Sequence, residues 1–461
     1  MRPAVAPSVW NLSDFNKCVV YMRAVFLLSS EVAVIGGGSS GLFTALDLSL
    51  RGYTVSLFDR NMIGSGTSGR FHGLLHSGAR YAVTDPQAAA ECQRESAILA
   101  RIAPHAVEKT GGLFVSLSRT DSEYGERLRK SLSSLGIRFS TLDGNATLSI
   151  EPNLSRNVIE SVEVDDGVLR AQQFLYSLAI SCILNGVSIH PFSELKDARR
   201  ERGRVEELTF INTRTAQRMS FRPWAVVNAA GPWVAQVSKK FGIRMSILPA
   251  AGIMAVVPRR LSFRVINRMR QPSDGDIVLP YGGSSIAGTT ASVLRSPDRF
   301  SIRRDDLQLL LEETSEMLPS IRELGFTRSY ASVRPLIGTG NNSARAGRLS
   351  TRDFHVSGPD ESGLSNYACV AGGKMTTSRL AGERAADAVD SMSGTRHRSL
   401  TAGRKLFNPA GTAGTKLLSS DIPEHDSLSS VLSMASGGTD AETAVNYLML
   451  SYILRKSGAR K

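Results

Sequence analysis

A glycine-rich turn between a short apolar strand and a helix constrains the fold of this chain more than any other feature. Residues 32–35 form an apolar, β-branched run, and the turn that follows at 36–41 has the pattern Gly-x-Gly-x-x-Gly. Apolar residues at helical spacing come next, and Gly52 ends the helix before a second strand at 54–58. Strand, turn, helix and strand in this order predict the opening of a doubly wound parallel sheet.

The three glycines and a carboxylate are typical of a dinucleotide site. Gly36 permits the tight turn, Gly38 lets the backbone approach a pyrophosphate, and Gly41 lets the helix pack closely on the strand. Free N–H groups at the helix start, near Ser40, and the helix dipole favour bound phosphates. Asp59 lies 23 residues after Gly36, where a carboxylate accepts hydrogen bonds from ribose hydroxyls. The motif alone does not distinguish FAD from NAD, and the alternative is a glycine-rich turn that binds nothing.

The rest of the chain alternates between helical and strand patterns, which predicts an α/β fold. Periodicity predicts helices over 88–102, 124–135, 171–184, 305–318 and 376–391, and strands over 187–191, 331–335 and 367–371. Residues 225–231 are predicted to be a buried strand that leads into a loop. Short strands and turns over 247–288 are typical of an antiparallel sheet. We therefore expect a Rossmann-like nucleotide-binding domain interleaved with a second, antiparallel-sheet domain for the substrate. The expected bounds are 31–85, 150–245 and 330–390 for the first domain, and 86–149 and 246–329 for the second.

Composition and charge narrow the class of protein. The 461 residues are 42% hydrophobic and 21% charged, as in globular proteins, and the net charge of +13 favours anionic partners. The four cysteines are far apart in sequence and no apolar run is long enough to span a bilayer. We therefore predict no metal site, no disulfide scaffold and a cytoplasmic location. Residues 1–30 are predicted to be a disordered extension, and residues 391–461 a tail with one short helix over 442–455.

A second loop carries a resemblance to a known family. Residues 64–70 read Gly-Ser-Gly-Thr-Ser-Gly-Arg, and residues 71–81 read Phe-His-Gly-Leu-Leu-His-Ser-Gly-Ala-Arg-Tyr. With these segments and the motifs at 227–231, 268–276, 332–336, 351–354 and 372–376, the chain resembles FAD-dependent glycerol-3-phosphate dehydrogenases of the glycine/D-amino-acid oxidase superfamily. The likeness is greatest to the catalytic chains of the anaerobic bacterial enzymes, and it extends over residues 31–389.

The resemblance implies a cofactor, a reaction and an electron acceptor. FAD would be the cofactor, and sn-glycerol 3-phosphate would be oxidised to dihydroxyacetone phosphate by hydride transfer to flavin N5. Electrons would then pass to a quinone or a partner protein. The positions that match the family's cofactor site are Gly36, Gly38, Ser40, Gly41, Asp59, Arg60, Thr67, Ser68, His72, Gly231, Gly373 and Thr376.

The resemblance also implies a substrate site. The matching positions are Arg80, Tyr81, Arg334, Arg352 and Lys374. Arg334 lies between apolar neighbours, where a guanidinium needs an anion, and its planar fork suits a phosphate. His76 is the first candidate for the base that takes the hydroxyl proton, because a histidine pKa of ~6.5 suits proton transfer near neutrality. Lys374 is the alternative base, and Arg334 completes the group expected to act in catalysis.

Three departures from the family pattern accompany these matches. The anaerobic catalytic chains continue into a cysteine-bearing domain, whereas no cysteine follows Cys369 here, so an electron route through such a domain is not expected. Asp59 replaces the commoner glutamate. Ser378 stands where the family often has tyrosine, which leaves the local packing around the substrate open.

Two other functions remain open from the sequence, together with a possible membrane surface. A superfamily oxidase for an amino acid or a 2-hydroxy acid would use Arg334 to hold a carboxylate. A non-enzymatic nucleic-acid-binding protein is compatible with the charge, but no basic–aromatic stacking pattern supports it, and we expect no nucleic-acid partner. Nine arginines and no lysine between residues 259 and 304 predict peripheral binding to an anionic membrane.

Overall fold

The computed structural model describes residues 31–337 and 353–408. Its strands, in chain order, are β1 (Glu31–Ile35), β2 (Thr54–Phe58), β3 (Leu74–Leu75), β4 (Val107–Glu108), β5 (Gly112–Ser116), β6 (Phe139–Asp143), β7 (Glu160–Val164), β8 (Gly167–Leu169), β9 (Ser188–His190), β10 (Ser193–Glu201), β11 (Arg204–Asn212), β12 (Arg218–Phe221), β13 (Ala225–Asn228), β14 (Ile247–Val257), β15 (Val265–Arg268), β16 (Ile277–Tyr281), β17 (Ser284–Gly288), β18 (Ser292–Val293), β19 (Arg328–Ile337), β20 (Phe354–Ser357) and β21 (Tyr367–Gly372). Its α-helices are α1 (Ser39–Leu50), α2 (Pro86–Ile102), α3 (Arg119–Ser134), α4 (Gly144–Ile150), α5 (Ala171–Leu184), α6 (Val234–Lys240), α7 (Arg304–Met317), α8 (Ser320–Leu324), α9 (Pro359–Ser362) and α10 (Ser378–Ser393).

The first sheet is the predicted doubly wound sheet, with strand order β20-β21-β13-β1-β2-β9. Its strands are parallel except for β20 at the edge. Helices α1, α5 and α10 cover one face, and the small sheet β10-β11-β12 packs on the other, so the strands are apolar on both faces. Gly382 lets α10 cross close to α1, because an added Cβ would lie 2.6 Å from the Phe43 side chain.

The second sheet has the order β18-β14-β17-β16-β15-β5-β7-β6, and β19 pairs with β14. All of its neighbours are antiparallel except β15 and β5. Helices α2 and α3 pack on part of this sheet, and α7 and α8 cover another part. Because segments of the chain alternate between the two sheets, the predicted interleaved α/β fold is confirmed. None of the helices in the described residues is long and apolar enough to cross a membrane.

Several expected boundaries differ from the structure. Strands β7 and β19 fall within segments assigned to the nucleotide-binding domain, but they pair with β5 and β14 in the second sheet. From the sequence, no strand is predicted at 160–164, and the strand pattern at 331–335 does not reveal its pairing partner. Helix α3 begins at Arg119 rather than at 124, because the Ser118 side chain caps it by accepting a hydrogen bond from the Asp121 N–H. The N-terminal extension and the helix over 442–455 lie outside the described residues.

The segment after α10 is held against the helices of the first sheet by a buried ion-pair network. Arg51, whose side chain is 1% exposed, pairs with Asp47 at 2.9 Å and with Asp390 at 2.8 Å. Asp390 also accepts hydrogen bonds from the Tyr53 hydroxyl at 2.8 Å and from the His397 backbone N–H at 2.7 Å. Burial acts to raise the pKa of Asp390, but the bonds from His397, Tyr53 and Arg51 outweigh it and lower that pKa to about 2.

Replacing Asp390 by asparagine should lower the free energy of unfolding at neutral pH by about 2 kcal/mol, because its carboxyl pKa falls from 3.8 to about 2 on folding. A depressed native pKa stabilises the fold above the unfolded pKa, and this contribution is lost as the pH falls through the native value. The free energy of unfolding can be measured with urea. Its difference between wild type and Asp390→Asn should decrease as the pH is lowered from about 6 to about 3. Asp387→Asn, at a side chain that is 43% exposed, is the matched control and should cost less. A pH-independent difference would contradict the argument.

Candidate active site

A cleft of about 410 Å³ lies at the carboxyl ends of β1, β2, β13 and β21, where ligands bind in doubly wound sheets. Nine of the predicted cofactor residues line it: Gly36, Gly38, Ser40, Asp59, Arg60, Thr67, Ser68, Gly231 and Gly373. Gly41, His72 and Thr376 are not among the lining residues. Among the residues that the structure describes, no cluster of three His, Cys, Asp or Glu side chains could hold a metal ion.

The glycine turn forms a cradle that has no room for side chains. Gly36 has a φ of +115°, and an added Cβ would lie 2.4 Å from the Ala229 carbonyl oxygen. A Cβ on Gly41 would lie 1.9 Å from the Gly36 carbonyl oxygen, so this glycine lets α1 pack on the turn, as predicted. Gly38 is the extended residue before α1, and its Cβ would come within 3.1 Å of the Ser68 hydroxyl oxygen. The start of α1 therefore presents bare backbone to the cleft, which suits a diphosphate.

Asp59 is fixed at the end of β2 by two backbone hydrogen bonds. Its Oδ2 atom accepts from the Gly37 N–H at 2.7 Å and its Oδ1 atom from the Asn61 N–H at 2.8 Å. Burial raises the pKa of Asp59, and these two bonds act in the opposite direction. Each carboxylate oxygen has a further lone pair, so the arrangement can also accept ribose hydroxyls.

Arg60 lies at the rim of the cleft and forms a contact between the two sheets' loops. Its guanidinium lies 4.3 Å from the centroid of the Trp233 ring and pairs with Asp298 at 2.9 Å. The Trp233 indole N–H donates to the same carboxylate at 2.7 Å. Asp298 was not identified from the sequence, because it comes from the loop after β18 and only the fold brings it to the cleft.

The second loop connects the glycine cradle to the second sheet. Ser68 accepts a hydrogen bond from the Ser39 N–H at 3.0 Å, and Thr67 donates its hydroxyl hydrogen to the Val333 carbonyl at 2.6 Å. Val333 lies on β19 directly before Arg334, so this loop joins the cofactor cleft to the strand that carries the predicted phosphate ligand.

His76 lies in the loop after β3 and is 7% exposed. Its backbone N–H donates to the Thr376 hydroxyl at 3.3 Å. Thr376 therefore supports the His76 loop, although it does not line the cleft itself. The His76 ring lies 5.2 Å from the Tyr81 ring and 6.1 Å from the His72 ring. His72 accepts the Leu74 N–H at its Nδ1 atom at 2.9 Å, which supports the loop.

Lys374 lines the cleft beyond two glycines with positive φ, Gly372 and Gly373. Its ammonium lies 4.9 Å from the centroid of the Tyr81 ring, a cation–π contact. The Nζ atom is buried, and among the residues described it has no hydrogen-bond acceptor. Lys374, Tyr81 and His76 thus form a continuous row beside the cleft.

Arg334 is half-buried on β19 and is not itself among the residues that line the cleft, although its neighbours Val333 and Pro335 are. Its Nη2 atom donates to the Thr289 hydroxyl and, at 3.2 Å, to the Thr290 carbonyl. Gly252 on the neighbouring strand β14 leaves the space for this guanidinium, because an added Cβ would lie 2.4 Å from Nη2. A glycine inside a strand often marks such a close approach, which is the signal that could have identified Gly252.

Two expected substrate residues stand apart from this group. Arg80, like His76, Tyr81 and Arg334, is not among the residues that line the cleft. It differs from them in that its Nη2 atom donates to both carboxylate oxygens of Asp276, at 2.7 and 2.8 Å. This buried pair gives Arg80 a structural role that the sequence did not indicate, and a direct contact with substrate stays a prediction. Arg352 lies outside the described residues.

Replacing Gly38 by valine should prevent stoichiometric flavin binding, because the branched side chain would meet Ser68 and occupy the space over the start of α1. The flavin absorbance per chain after purification measures this. Gly358→Val is the matched control, because Gly358 has open space and a negative φ outside the cleft. A Gly38→Val protein that kept a full complement of flavin would place the cofactor elsewhere.

Comparisons with known proteins identify the family of this chain. Residues 31–388 match the DAO family, described as FAD dependent oxidoreductase. The chain is 33% identical over 384 residues to the A subunit of anaerobic glycerol-3-phosphate dehydrogenase from Haemophilus influenzae, with 82% of this chain and 68% of that protein covered. The protein of the same name from Escherichia coli K12 is 34% identical over 411 residues, with 88% of this chain and 73% of that protein covered.

Solved structures share the fold. The glycerol-3-phosphate dehydrogenase from Bacillus halodurans complexed with FAD matches with a TM-score of 0.66 at 20% identity, over 96% of this chain and 88% of that chain. Glycine oxidase from Bacillus cereus matches with a TM-score of 0.62 at 20% identity, over 82% of this chain and 99% of that chain. The resemblance noted in the sequence is confirmed: this chain belongs to the DAO family of FAD-dependent oxidoreductases, among whose members it is similar to the A subunits of anaerobic glycerol-3-phosphate dehydrogenases.

Proposed function

We propose that this chain oxidises the secondary hydroxyl of sn-glycerol 3-phosphate and so forms dihydroxyacetone phosphate, with FAD as the oxidant. The relatives from Haemophilus influenzae and Escherichia coli are named for glycerol 3-phosphate. The observation that carries the proposal is the buried ammonium of Lys374 beside the cofactor cleft, without a hydrogen-bond acceptor among the described residues. A buried cation is costly unless an anion compensates for it, and a phosphorylated substrate would supply that anion.

The cleft fits FAD, because the glycine cradle excludes side chains where a diphosphate would lie and Asp59 lies within the same cleft. When bound, the flavin supplies the oxidising power of the site by accepting a hydride from the substrate carbon. The residues of the chain then have three tasks: they bind the phosphate, orient the hydroxyl-bearing carbon and take the hydroxyl proton.

Arg334 and Lys374 are the groups we assign to the phosphate. Thr289 and the Thr290 carbonyl orient the Arg334 guanidinium, whose planar fork suits two phosphate oxygens. Lys374 adds a second positive charge from the segment after β21. Two cations match a phosphate dianion better than the single negative charge of an amino acid or 2-hydroxy acid carboxylate, which is the alternative substrate class.

His76 is the residue we assign to proton removal. It lies in contact with Tyr81, over which the Lys374 ammonium is placed, so the base and one of the two anion-binding groups contact the same ring. One imidazole nitrogen of His76 would take the hydroxyl proton as the carbon–hydrogen bond breaks, and the product ketone keeps its phosphate. Lys374 remains the second candidate for the base, in which case it would have to lose its own proton first.

The electron acceptor is a quinone or a partner protein in this proposal, and the relatives' names identify them as one subunit of a larger enzyme. The proposed binding to an anionic membrane would use fewer arginines than the sequence indicated. Five of the nine between residues 259 and 304 form ion pairs in the described structure: Arg260, Arg264, Arg268, Arg270 and Arg303. Arg259, Arg295, Arg299 and Arg304 are exposed and remain the candidates for contact with lipid phosphates.

Replacing Arg334 by alanine should lower kcat/KM for glycerol 3-phosphate by ~10- to 100-fold, because it removes charged hydrogen bonds worth roughly 1.5–3 kcal/mol each. Anaerobic bleaching of the flavin by glycerol 3-phosphate, glycerol and a 2-hydroxy acid measures this effect. The preference of the wild type for the phosphorylated substrate should disappear in Arg334→Ala, while flavin content stays unchanged.

Gly252→Ala provides a second test of the same site. The added methyl group would displace the Arg334 guanidinium without removing its charge, so KM for glycerol 3-phosphate should rise, whereas Gly358→Ala should have no effect. Full discrimination for the phosphate in Arg334→Ala would assign the anchor to another residue. Reduction of the wild-type flavin by the 2-hydroxy acid alone would favour the alternative substrate class.

Vesicle flotation tests the proposed membrane surface. The protein should bind vesicles that contain anionic lipid, and the bound fraction should fall as salt screens the exposed arginines. Replacing Arg295, Arg299 and Arg304 together by glutamine should weaken this binding and leave flavin reduction intact. Equal binding to neutral and anionic vesicles would contradict the proposal.

A further inference from the structure

A buried carboxylate lies directly behind the loop that carries His76. Asp166, which is 4% exposed and precedes β8, accepts two hydrogen bonds at Oδ1 from Ser77: the backbone N–H at 2.8 Å and the hydroxyl at 2.7 Å. Asn267 on β15 donates to Oδ2 at 3.4 Å. Gly112 on β5 provides the space, because an added Cβ would lie 2.8 Å from the Asp166 Cβ atom. The second sheet thus provides a closed pocket for this carboxylate.

The same loop is held by buried partners on both sides of Ser77. The N–H of His76 is bonded to Thr376, and Arg80 is bonded to Asp276. Consecutive peptide N–H groups, those of His76 and Ser77, are therefore both fixed by side chains from other parts of the fold. The direction of the His76 imidazole depends on these anchors, because residues 76–78, between β3 and the short turn at Ala79–Tyr81, belong to no strand or helix.

The hydrogen bonds of Asp166 stabilise this loop more than they stabilise the sheet. The pairing of β8 with β3 and β4 uses backbone groups, and a carboxylate buried this deeply costs stability unless its hydrogen bonds are made. Burial raises the pKa of Asp166, while the bonds from Ser77 and the charge of Arg80 act in the opposite direction. The compensating contacts are therefore concentrated on the loop that presents His76.

We propose that Asp166 is a positioning residue, which holds both polar groups of Ser77 and so fixes the His76 imidazole toward the substrate. The inference rests on the proposed function, in which His76 takes the hydroxyl proton. Displacement of a reacting group by about 1 Å costs up to ~100-fold in rate. Loss of the Asp166 contacts should thus slow the chemical step, whereas substrate affinity, which Arg334 and Lys374 supply, should change little.

The test compares Asp166→Ala with Asp166→Asn in the flavin-loaded enzyme. Rapid anaerobic mixing with glycerol 3-phosphate gives the limiting rate of flavin reduction and the substrate Kd separately. For Asp166→Ala we expect a limiting rate lower by roughly 10- to 100-fold and a Kd within about threefold of wild type. Asparagine keeps an oxygen that can accept from Ser77, so Asp166→Asn should restore most of the rate.

Glu151→Ala is the matched control for general destabilisation. Glu151 is 1% exposed and accepts the backbone N–H groups of Phe263 and Arg264, so its loss also leaves buried donors unpaired, but outside the His76 loop. This variant should lower Tm and keep the wild-type reduction rate. If Asp166→Ala does not fold, Ser77→Ala, which removes only the hydroxyl bond, should show a smaller decrease in the limiting rate.

Three results would overturn the inference. The first is a wild-type limiting rate in Asp166→Ala, or in Ser77→Ala if Asp166→Ala does not fold. The second is an Asp166→Asn protein as slow as the alanine variant. The third is an equal loss of rate in Glu151→Ala. The proposed function is judged separately, by whether glycerol 3-phosphate reduces the wild-type flavin at all. If glycerol or the 2-hydroxy acid reduces the flavin instead, the same variants are compared with that substrate.

Discussion

The close contact between the glycine turn and the residues after β13 is the constraint on which the rest of the site depends. No side chain fits between Gly36 and the Ala229 carbonyl, or between Gly41 and the Gly36 carbonyl. As a result, the start of α1 lies directly at the edge of the first sheet, with its dipole directed at the cleft. The Gly37 N–H donates a hydrogen bond to Asp59 at the end of β2, so the same turn also fixes the carboxylate that we predict to accept the ribose hydroxyls.

The loop that contains Thr67 and Ser68 connects the glycine turn of the first sheet to the second sheet. Ser68 is bonded to the first residue of α1, and the neighbouring Thr67 is bonded to Val333 on β19. The register of β19 against β14 places Arg334 opposite Ala250, and the guanidinium lies over Gly252. A change in that register by one residue would turn Arg334 to the opposite face of the sheet. The cofactor cradle and the proposed phosphate ligand are thus linked through two hydroxyl hydrogen bonds.

The features that could be predicted from the sequence are those that local patterns of residues determine. The glycine turn, Asp59 and the strands and helices around them depend on neighbours within about thirty residues, and the structure places them as expected. The partners of Arg80 and Ser77 could not be predicted, because Asp276 and Asp166 are 196 and 89 residues away along the chain. The pairing of β19 with β14 could not be predicted for the same reason, since apolar alternation identifies a strand without identifying its partner.

The cations around the cleft differ in whether a carboxylate of the protein neutralises them. Only a cation without such a partner keeps its charge available to a bound ligand. Arg80 and Arg60 are each bonded to a carboxylate, Asp276 and Asp298, and so contribute little net charge to the cleft. Lys374 instead contacts the Tyr81 ring, which attracts a cation without neutralising it. In surroundings of low dielectric, a charge left in this state acts more strongly on a bound anion than it would in water. The net charge of +13 alone therefore says little about substrate, whereas the placement of a few carboxylates decides which of the cations can act on a ligand.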